Sequence, residues 1–137
     1  MTRDLLDSSI LIHFWCTRRL GEKSKAEVQQ EAQALIGEQG TDSILTPIYI
    51  EVVAGARTPR ELELTQAFLA EFRIADEGEI LKGDWLRARE EAERIPADGR
   101  KRQLPDCLIK AIAQRLGRRV VSLDRSFRPE TGASSPA

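Results

Sequence analysis

The stretch Leu5-Leu6-Asp7-Ser8-Ser9-Ile10-Leu11-Ile12 decides the fold, because it joins a short apolar run to an acid and two small hydroxyl residues. The leucines before Asp7 predict a short buried strand, and aspartate and serine are among the side chains that best cap a following helix. We therefore expect a strand-to-helix junction at this point, with Asp7 at the end of the strand.

Three further strands and several helices are predicted beyond this junction. The strands are residues 43–45, 72–74 and 120–123, and the last one runs directly into Asp124. One helix is expected over about residues 22–36, and Thr46-Pro47, Thr58-Pro59 and Pro105 predict three more helix starts, the first running to about residue 56. A further helix, ending at Pro96, is expected to bury the face formed by Leu81, Trp85, Ala88, Ala92 and Ile95.

Short apolar strands that alternate with helices predict an α/β fold, specifically a three-layer α/β/α sandwich with a short central parallel sheet. One domain is expected over residues 1–128, followed by a disordered tail over residues 129–137, which are rich in Gly, Ser, Ala and Pro. Ligands of such sheets bind at the carboxyl ends of the strands, near the point where the strand order reverses. Asp7 and Asp124 are expected at these ends.

The rare residues limit the chemistry that the chain can perform. His13 is the one histidine, and Cys16 and Cys107 are the two cysteines, so no Cys/His zinc motif can be written. His13 lies in an apolar run and is expected to be buried or half-buried, which argues against a nucleophile–histidine pair. Unpaired cysteines without a signal-peptide pattern predict a cytoplasmic protein, and no apolar run is long enough to predict a membrane span.

The balance of charge does not by itself indicate a nucleic-acid-binding protein. The chain has 21 basic and 22 acidic residues, and its formal net charge is −1. A local cluster, Arg100-Lys101-Arg102, precedes Asp106 and is a candidate for RNA backbone contact, although a solvated surface explains it equally well. Aromatic residues make up 5% of the chain, which argues against an extended platform for base stacking.

Four acids flanked by apolar residues form the main functional hypothesis: Asp7, Glu51, Asp106 and Asp124. The predicted strands and helices bring them to one edge of the sheet, where their mutual repulsion requires a cation. Oxygen ligands of this kind suit Mg²⁺ or Mn²⁺, which could activate a water for attack on a phosphodiester. Ser8, Ser9 and Ser122 are expected to support these ligands by hydrogen bonding. Taken singly, each of these four acids could instead be a helix cap, a turn former or a surface group. The remaining acids of the chain, Asp4 included, are interpreted mainly as surface charge.

Four stretches, taken together, resemble the successive signatures of a PIN-domain ribonuclease, specifically a VapC-type toxin of a toxin–antitoxin system. They are residues 5–12, Thr46-Pro47-Ile48-Tyr49-Ile50-Glu51-Val52, residues 105–113 and Val120-Val121-Ser122-Leu123-Asp124-Arg125-Ser126-Phe127. The resemblance implies a catalytic set of Asp7, Glu51, Asp106 and Asp124, with Asp7 and Asp106 as the direct Mg²⁺ ligands. It also implies an RNA substrate, a VapB-like antitoxin that inserts a basic side chain into the acidic pocket, and a homodimer.

The sequence leaves two other functions open. Ser126 stands where many members of the family carry Asp or Asn, which keeps open a PIN-like module that binds RNA or a partner with little or no catalysis. A phosphoaspartate enzyme with Asp7 as its nucleophile is disfavoured, because Ser9 occupies the position where such enzymes carry a second aspartate.

Overall fold

The computed structural model describes residues 2–94, 99, 101 and 103–123. Within these residues the chain forms four two-residue strands: β1 Leu5–Leu6, β2 Ser43–Ile44, β3 Arg73–Ile74 and β4 Val120–Val121. It also forms a 3-10 turn, Leu20–Glu22, and six helices: α1 Ser8–Thr17, α2 Lys25–Gln39, α3 Thr46–Val53, α4 Pro59–Leu69, α5 Lys82–Glu93 and α6 Leu104–Leu116.

The strands form one parallel sheet in the order β3-β2-β1-β4, flanked by helices. Leu5 pairs with Ser43 on one side and with Val120 on the other, so β1 is an inner strand. Both leucines of β1 are buried, as the apolar run before Asp7 predicts. The three-layer α/β/α sandwich with a short parallel sheet is therefore confirmed.

The order of the strands reverses between β1 and β4. From β1 the chain adds β2 and then β3 on one side, and it then crosses to place β4 on the other side of β1. Asp7 follows β1 and Ser122 follows β4, so both stand at the carboxyl ends of the two strands that flank this reversal. This is the position at which parallel sheets bind ligands.

Phe68 of α4 lies at the centre of an aromatic cluster in the core. Its ring is fully buried and contacts Phe14 and Trp15 of α1, with centroid distances of 6.2 and 5.5 Å, and Phe72 at 5.3 Å. Ring pairs at these separations add to the stabilisation that burial provides. The cluster fixes α1, and with it the junction that carries Asp7, against α4.

Helix α3 begins differently from the prediction. Thr46 is its first residue rather than its cap, the cap position is Leu45, and the helix ends at Val53 rather than near residue 56. Leu45 has no side chain that can accept a hydrogen bond, and the buried carboxylate of Asp76 takes over this role. It accepts hydrogen bonds from the Thr46 backbone N–H at 3.1 Å and from the Thr46 hydroxyl at 2.6 Å.

The predicted buried face of α5 is also wrong. Asp84 and Ala88 are buried, whereas Leu81 and Trp85 are 44% and 47% exposed and Ala92 is exposed. The helix turns Asp84 inward because this carboxylate pairs with Arg115 of α6. Leu62 of α4 is a further large apolar residue that is exposed.

His13 is exposed rather than buried or half-buried. Helix α1 uses Ile10, Leu11 and Phe14 for the core, so the residues between these positions turn outward. Cys16 and Cys107 form no disulfide, as expected, with Cys16 exposed and Cys107 buried. Among the described helices, none combines the length and the apolar character that crossing a bilayer requires.

Several expectations concern residues outside the described ranges. They are the side chains of Ile95, Arg100, Arg102, Asp124 and Ser126, the helix end at Pro96 and the tail over residues 129–137.

Candidate metal centre

Asp7 lies where β1 passes into α1, and it is the N-cap of that helix. Its backbone is extended, and its side chain accepts a hydrogen bond from the Ser9 backbone N–H at 3.4 Å. The backbone of β4 holds the same residue from the other side, because the Asp7 N–H donates to the Val121 carbonyl at 2.9 Å. The junction predicted from the sequence thus places this acid rigidly at the end of the strand.

Two serine hydroxyls bind one oxygen of the Asp7 carboxylate. Ser9 Oγ lies 2.9 Å from Oδ2 and Ser122 Oγ lies 2.8 Å from it, and the two hydroxyls are 3.0 Å apart. Ser9 Oγ also accepts a hydrogen bond from the Leu123 N–H at 3.0 Å. This network joins the first and last strands of the sheet through side chains that are 115 residues apart.

The other oxygen of Asp7, Oδ1, is buried and has no hydrogen-bond partner among the described residues. The whole residue is only 4% exposed. An unsatisfied buried acceptor costs on the order of 1–3 kcal/mol, and more when it is charged. Such an atom fits a metal ligand, because a hard divalent cation such as Mg²⁺ or Mn²⁺ binds carboxylate oxygens and would satisfy it.

The other predicted site residues differ in what surrounds them. Asp106 is half-buried in the first turn of α6, as predicted, and Lys101 is exposed. Ser8 is buried in α1, and its hydroxyl does not bond to Asp7, unlike the hydroxyl of Ser9. Glu51 is exposed on the second turn of α3.

The structure brings together Asp7, Ser9 and Ser122 by direct hydrogen bonds. Over the described ranges, no group of three acidic, histidine or cysteine side chains is close enough to hold a metal ion. Asp124, the fourth acid of the predicted set, lies outside these ranges. The described part of the centre is therefore one oriented carboxylate rather than a complete cluster.

Glu51 lines a surface pocket of about 370 Å³ between α1, α3 and α4. Ile12, Trp15 and Cys16 of α1 form one wall of this pocket, and Glu61 and Thr65 of α4 form another. Neither Asp7 nor Asp106 is among the described residues that line it. The lining is more than half apolar, and its charged residues are the acids Glu51 and Glu61 and the cation Arg57, so the pocket is only slightly acidic.

Three buried acids were interpreted from the sequence as surface charge, and this was wrong. Asp76 caps α3, Asp84 pairs with Arg115 at 2.8 Å, and Glu31 pairs with Lys23 and Arg18. The hydrogen bond from Lys23 is the main cause of the lowered pKa of Glu31. Each acid has its partner on another segment of the chain, so the sequence does not show the pairing. The only signal in the sequence is weak: Glu31 and Asp84 each stand at a core position of an amphipathic helix.

Burial and ion pairing act in opposite directions on Asp84. Burial alone would raise the pKa of this carboxyl group, but the hydrogen bonds from Arg115 and from the Leu81 N–H outweigh burial and hold the pKa below its ordinary value. The same hydrogen bond raises the pKa of Arg115. Asp84 is therefore ionised at neutral pH and has a structural role in joining α5 to α6.

The fold and the position of Asp7 define an α/β protein with a ligand-binding edge at the β1/β4 reversal. A family profile described as the PIN domain matches residues 5–129, which is most of the chain. The chain therefore belongs to the PIN domain family, whose members are generally nucleases and typically use divalent metal ions. Comparison with curated proteins and with solved structures gave no significant match.

Proposed function

We propose that this PIN-domain protein is a metal-dependent endoribonuclease and the toxin of a type II toxin–antitoxin pair. The observation that carries the proposal is the Asp7 carboxylate, which is buried, oriented through Oδ2 by two hydroxyls and left without a partner at Oδ1. A helix cap needs only the hydrogen bond that the Asp7 carboxylate accepts from the Ser9 N–H, so the two hydroxyl contacts go beyond a capping role. An oxygen that is buried and unsatisfied at this edge of the sheet suits the cation that a metal-dependent hydrolysis of RNA requires.

Asp7 and Asp106 are the proposed Mg²⁺ or Mn²⁺ ligands, and Glu51 and Asp124 complete the proposed acidic set. When bound, the metal supplies an activated water and neutralises charge on the phosphodiester. Ser9 and Ser122 fix the plane of the Asp7 carboxylate so that Oδ1 is presented to the metal, and Ser8 is retained as a weaker candidate for this support. Asp106 follows Pro105 in the first turn of α6, where the helix dipole favours an ionised side chain.

RNA is the proposed substrate, and basic residues near α6 are its proposed contacts. Lys101 is exposed just before α6, and Arg100 and Arg102 flank it in the sequence. Lysine and arginine bind phosphates with little dependence on base sequence, so this segment would supply affinity rather than specificity.

A VapB-like antitoxin is the proposed partner. The pocket that contains Glu51 supports this, because its α1 wall is largely apolar and its two carboxylates, Glu51 and Glu61, outnumber its one cation, Arg57. An amphipathic segment could place apolar side chains against Ile12 and Trp15 and a basic side chain at Glu51. Inhibition would then follow from neutralising one acid of the proposed catalytic set.

A homodimer is proposed on the outward face of α5. Leu81, Trp85 and Leu86 are each more than two-fifths exposed on this one helix, which is an unusual concentration of large apolar side chains on a surface. A self-complementary contact along this face would bury them in both copies.

A binding module without catalysis is the second candidate. It is favoured by the exposed position of Glu51 in a pocket that Asp7 and Asp106 do not line. In this case the acids would serve metal or partner binding, and no cleavage would be seen at any metal concentration.

One cleavage assay separates the two candidates. A pool of structured RNAs is incubated with the protein and Mg²⁺, Mn²⁺ or EDTA, alongside D7N, D106N and the control D4N. Asp4 pairs with Arg119 at 2.6 Å, away from the Asp7 network, so D4N removes an acid without touching the proposed centre. We expect cleavage with metal that is lost in EDTA, D7N and D106N and kept in D4N. Cleavage that persists in EDTA or in both site variants would refute a metal nuclease.

A further inference from the structure

Helix α6 carries one charged side chain in a segment that is otherwise buried. Cys107, Leu108, Ile109, Ala111, Ile112 and Ala113 are all buried, and Lys110 interrupts this run. Lys110 is half-buried on the same stripe of α6 as Asp106, where an amphipathic helix places its charged residues, so its stem can pack beside the core while its ammonium group stays outside it. This stripe also carries the proposed metal ligand Asp106, which offers a functional account of the position of Lys110.

Lys110 is four residues after Asp106, which places the two side chains on the same face of α6, about 6 Å apart along its axis. Side chains on a helix lean toward its N-terminus, so the flexible lysine stem is directed back toward the turn that holds Asp106. Asp106 and Lys110 therefore lie on one face of α6, with Asp106 in its first turn and Lys110 near its middle.

The described contact of Lys110 with α5 is a long ion pair that a phosphate could replace. Its Nζ lies 3.3 Å from Glu91 Oε1, and Arg94 NH1 lies 3.3 Å from the other oxygen of Glu91. By comparison, Lys23 and Glu31 approach to 2.6 Å. The Lys110 side chain is also 26% exposed, so an incoming ligand can reach it.

We propose that Lys110 binds a phosphate of the RNA backbone beside the Asp106 end of α6, and that Glu91 holds the lysine in place and competes with RNA for it. This inference rests on the proposed ribonuclease function and adds a specific binding residue to it. Phosphate carries the same charge as the Glu91 carboxylate and offers more acceptor oxygens, so the exchange leaves Lys110 paired throughout.

The test measures binding of a fluorescein-labelled, single-stranded RNA of mixed sequence in EDTA, at several salt concentrations. Intact probe length is checked on a gel. We expect K110Q to weaken binding about five-fold, the order of one exposed charge contact. The slope of log Kd against log salt should fall by about 0.7, the value for one phosphate contact on a single strand. E91Q should tighten binding, because the competing carboxylate is gone.

K25Q is the matched control, because it removes an equal charge from an exposed lysine at the start of α2. It should leave both affinity and salt slope close to those of the unaltered chain. If K110Q matches K25Q in both quantities while the unaltered chain still cleaves RNA with metal, the role of Lys110 is refuted and the nuclease stands. If the unaltered chain neither binds nor cleaves RNA, both proposals fail.

Discussion

Ser122 Oγ lies 2.8 Å from Asp7 Oδ2, and this bond ties the end of β4 to the end of β1. The hydroxyl thereby fixes the carboxylate at the point where the strand order reverses. Asp7 has a second donor on the same oxygen, Ser9, so its orientation is determined by one contact from the first turn of α1 and one from the residue after β4. The rigidity of the proposed metal ligand is thus a property of the sheet as well as of the helix cap.

Removing the Ser122 hydroxyl should impair metal binding more than it impairs folding. S122A takes one donor from Asp7 Oδ2, which is worth on the order of 1 kcal/mol, and leaves the backbone of β4 unchanged. We expect the metal concentration for half-maximal cleavage to rise about five-fold or more. S43A is the control, because Ser43 is a buried serine of β2 whose hydroxyl contacts Asp42 rather than Asp7. Equal effects of the two variants would contradict the orienting role of Ser122.

Divalent metal should stabilise the folded chain through Asp7 and Asp106. A ligand that binds only the folded state adds about 2.7 kcal/mol at 100 times its Kd, and the Asp7 oxygen without a partner offers such a site. We expect millimolar Mg²⁺ or Mn²⁺ to raise the thermal midpoint, and D7N and D106N to reduce this rise. D4N should keep the full rise. A midpoint that does not respond to either metal would contradict the site.

The sequence predicted the parts of the fold and site that depend on neighbouring residues. The junction at Asp7 and the Thr58 cap of α4 each depend on residues a few positions apart, and both are found. The sequence also grouped Ser122 with Asp7, but it put Ser122 inside a strand over residues 120–123, whereas β4 ends at Val121 and Ser122 comes directly after it, beside the end of β1.

Side-chain contacts between distant segments of the chain could not be predicted from the sequence. Periodicity gave α5 an apolar face that includes Trp85, but the helix is rotated so that Asp84 meets Arg115, 31 residues later. The cap of α3 likewise comes from Asp76, 30 residues after Thr46. A buried acid is indistinguishable from a surface acid in the sequence until its partner is known.

Trp85 should be required for self-association and dispensable for folding. It is 47% exposed on the outward face of α5 and lies outside the core. We therefore expect W85E to change the free energy of unfolding by less than about 1 kcal/mol. We expect light scattering to give a dimer for the unaltered chain and a monomer for W85E. I50E, at another exposed apolar residue, is the control and should remain dimeric. A monomeric unaltered chain would contradict the dimer.

Arg115 should be one of the most sensitive positions for stability. R115M leaves the carboxylate of Asp84 buried without its charged partner, and breaking such a pair costs about 3–5 kcal/mol. Because the Arg115 side chain is 28% exposed and water can reach part of the gap, we expect the lower end of this range. R73M, at an exposed arginine of β3, should cost far less in the same urea titration. Equal urea midpoints for the two variants would contradict the importance of the pair.

The Asp84–Arg115 pair should also make stability depend on pH in the acidic range. The pKa of Asp84 is lower in the folded chain than in the unfolded chain, so its contribution is complete well above the unfolded value of about 3.9. As the pH falls from that value toward the lower folded value, the unfolded chain takes up a proton that the folded chain does not, and the contribution is lost once the pH has passed the folded value. We expect the urea midpoint to fall steeply below about pH 4 and to fall less steeply in D84N. E63Q, at an exposed acid of α4, is the control and should follow the unaltered chain. If the urea midpoint of D84N falls with pH as steeply as that of the unaltered chain, other acids cause the loss of stability.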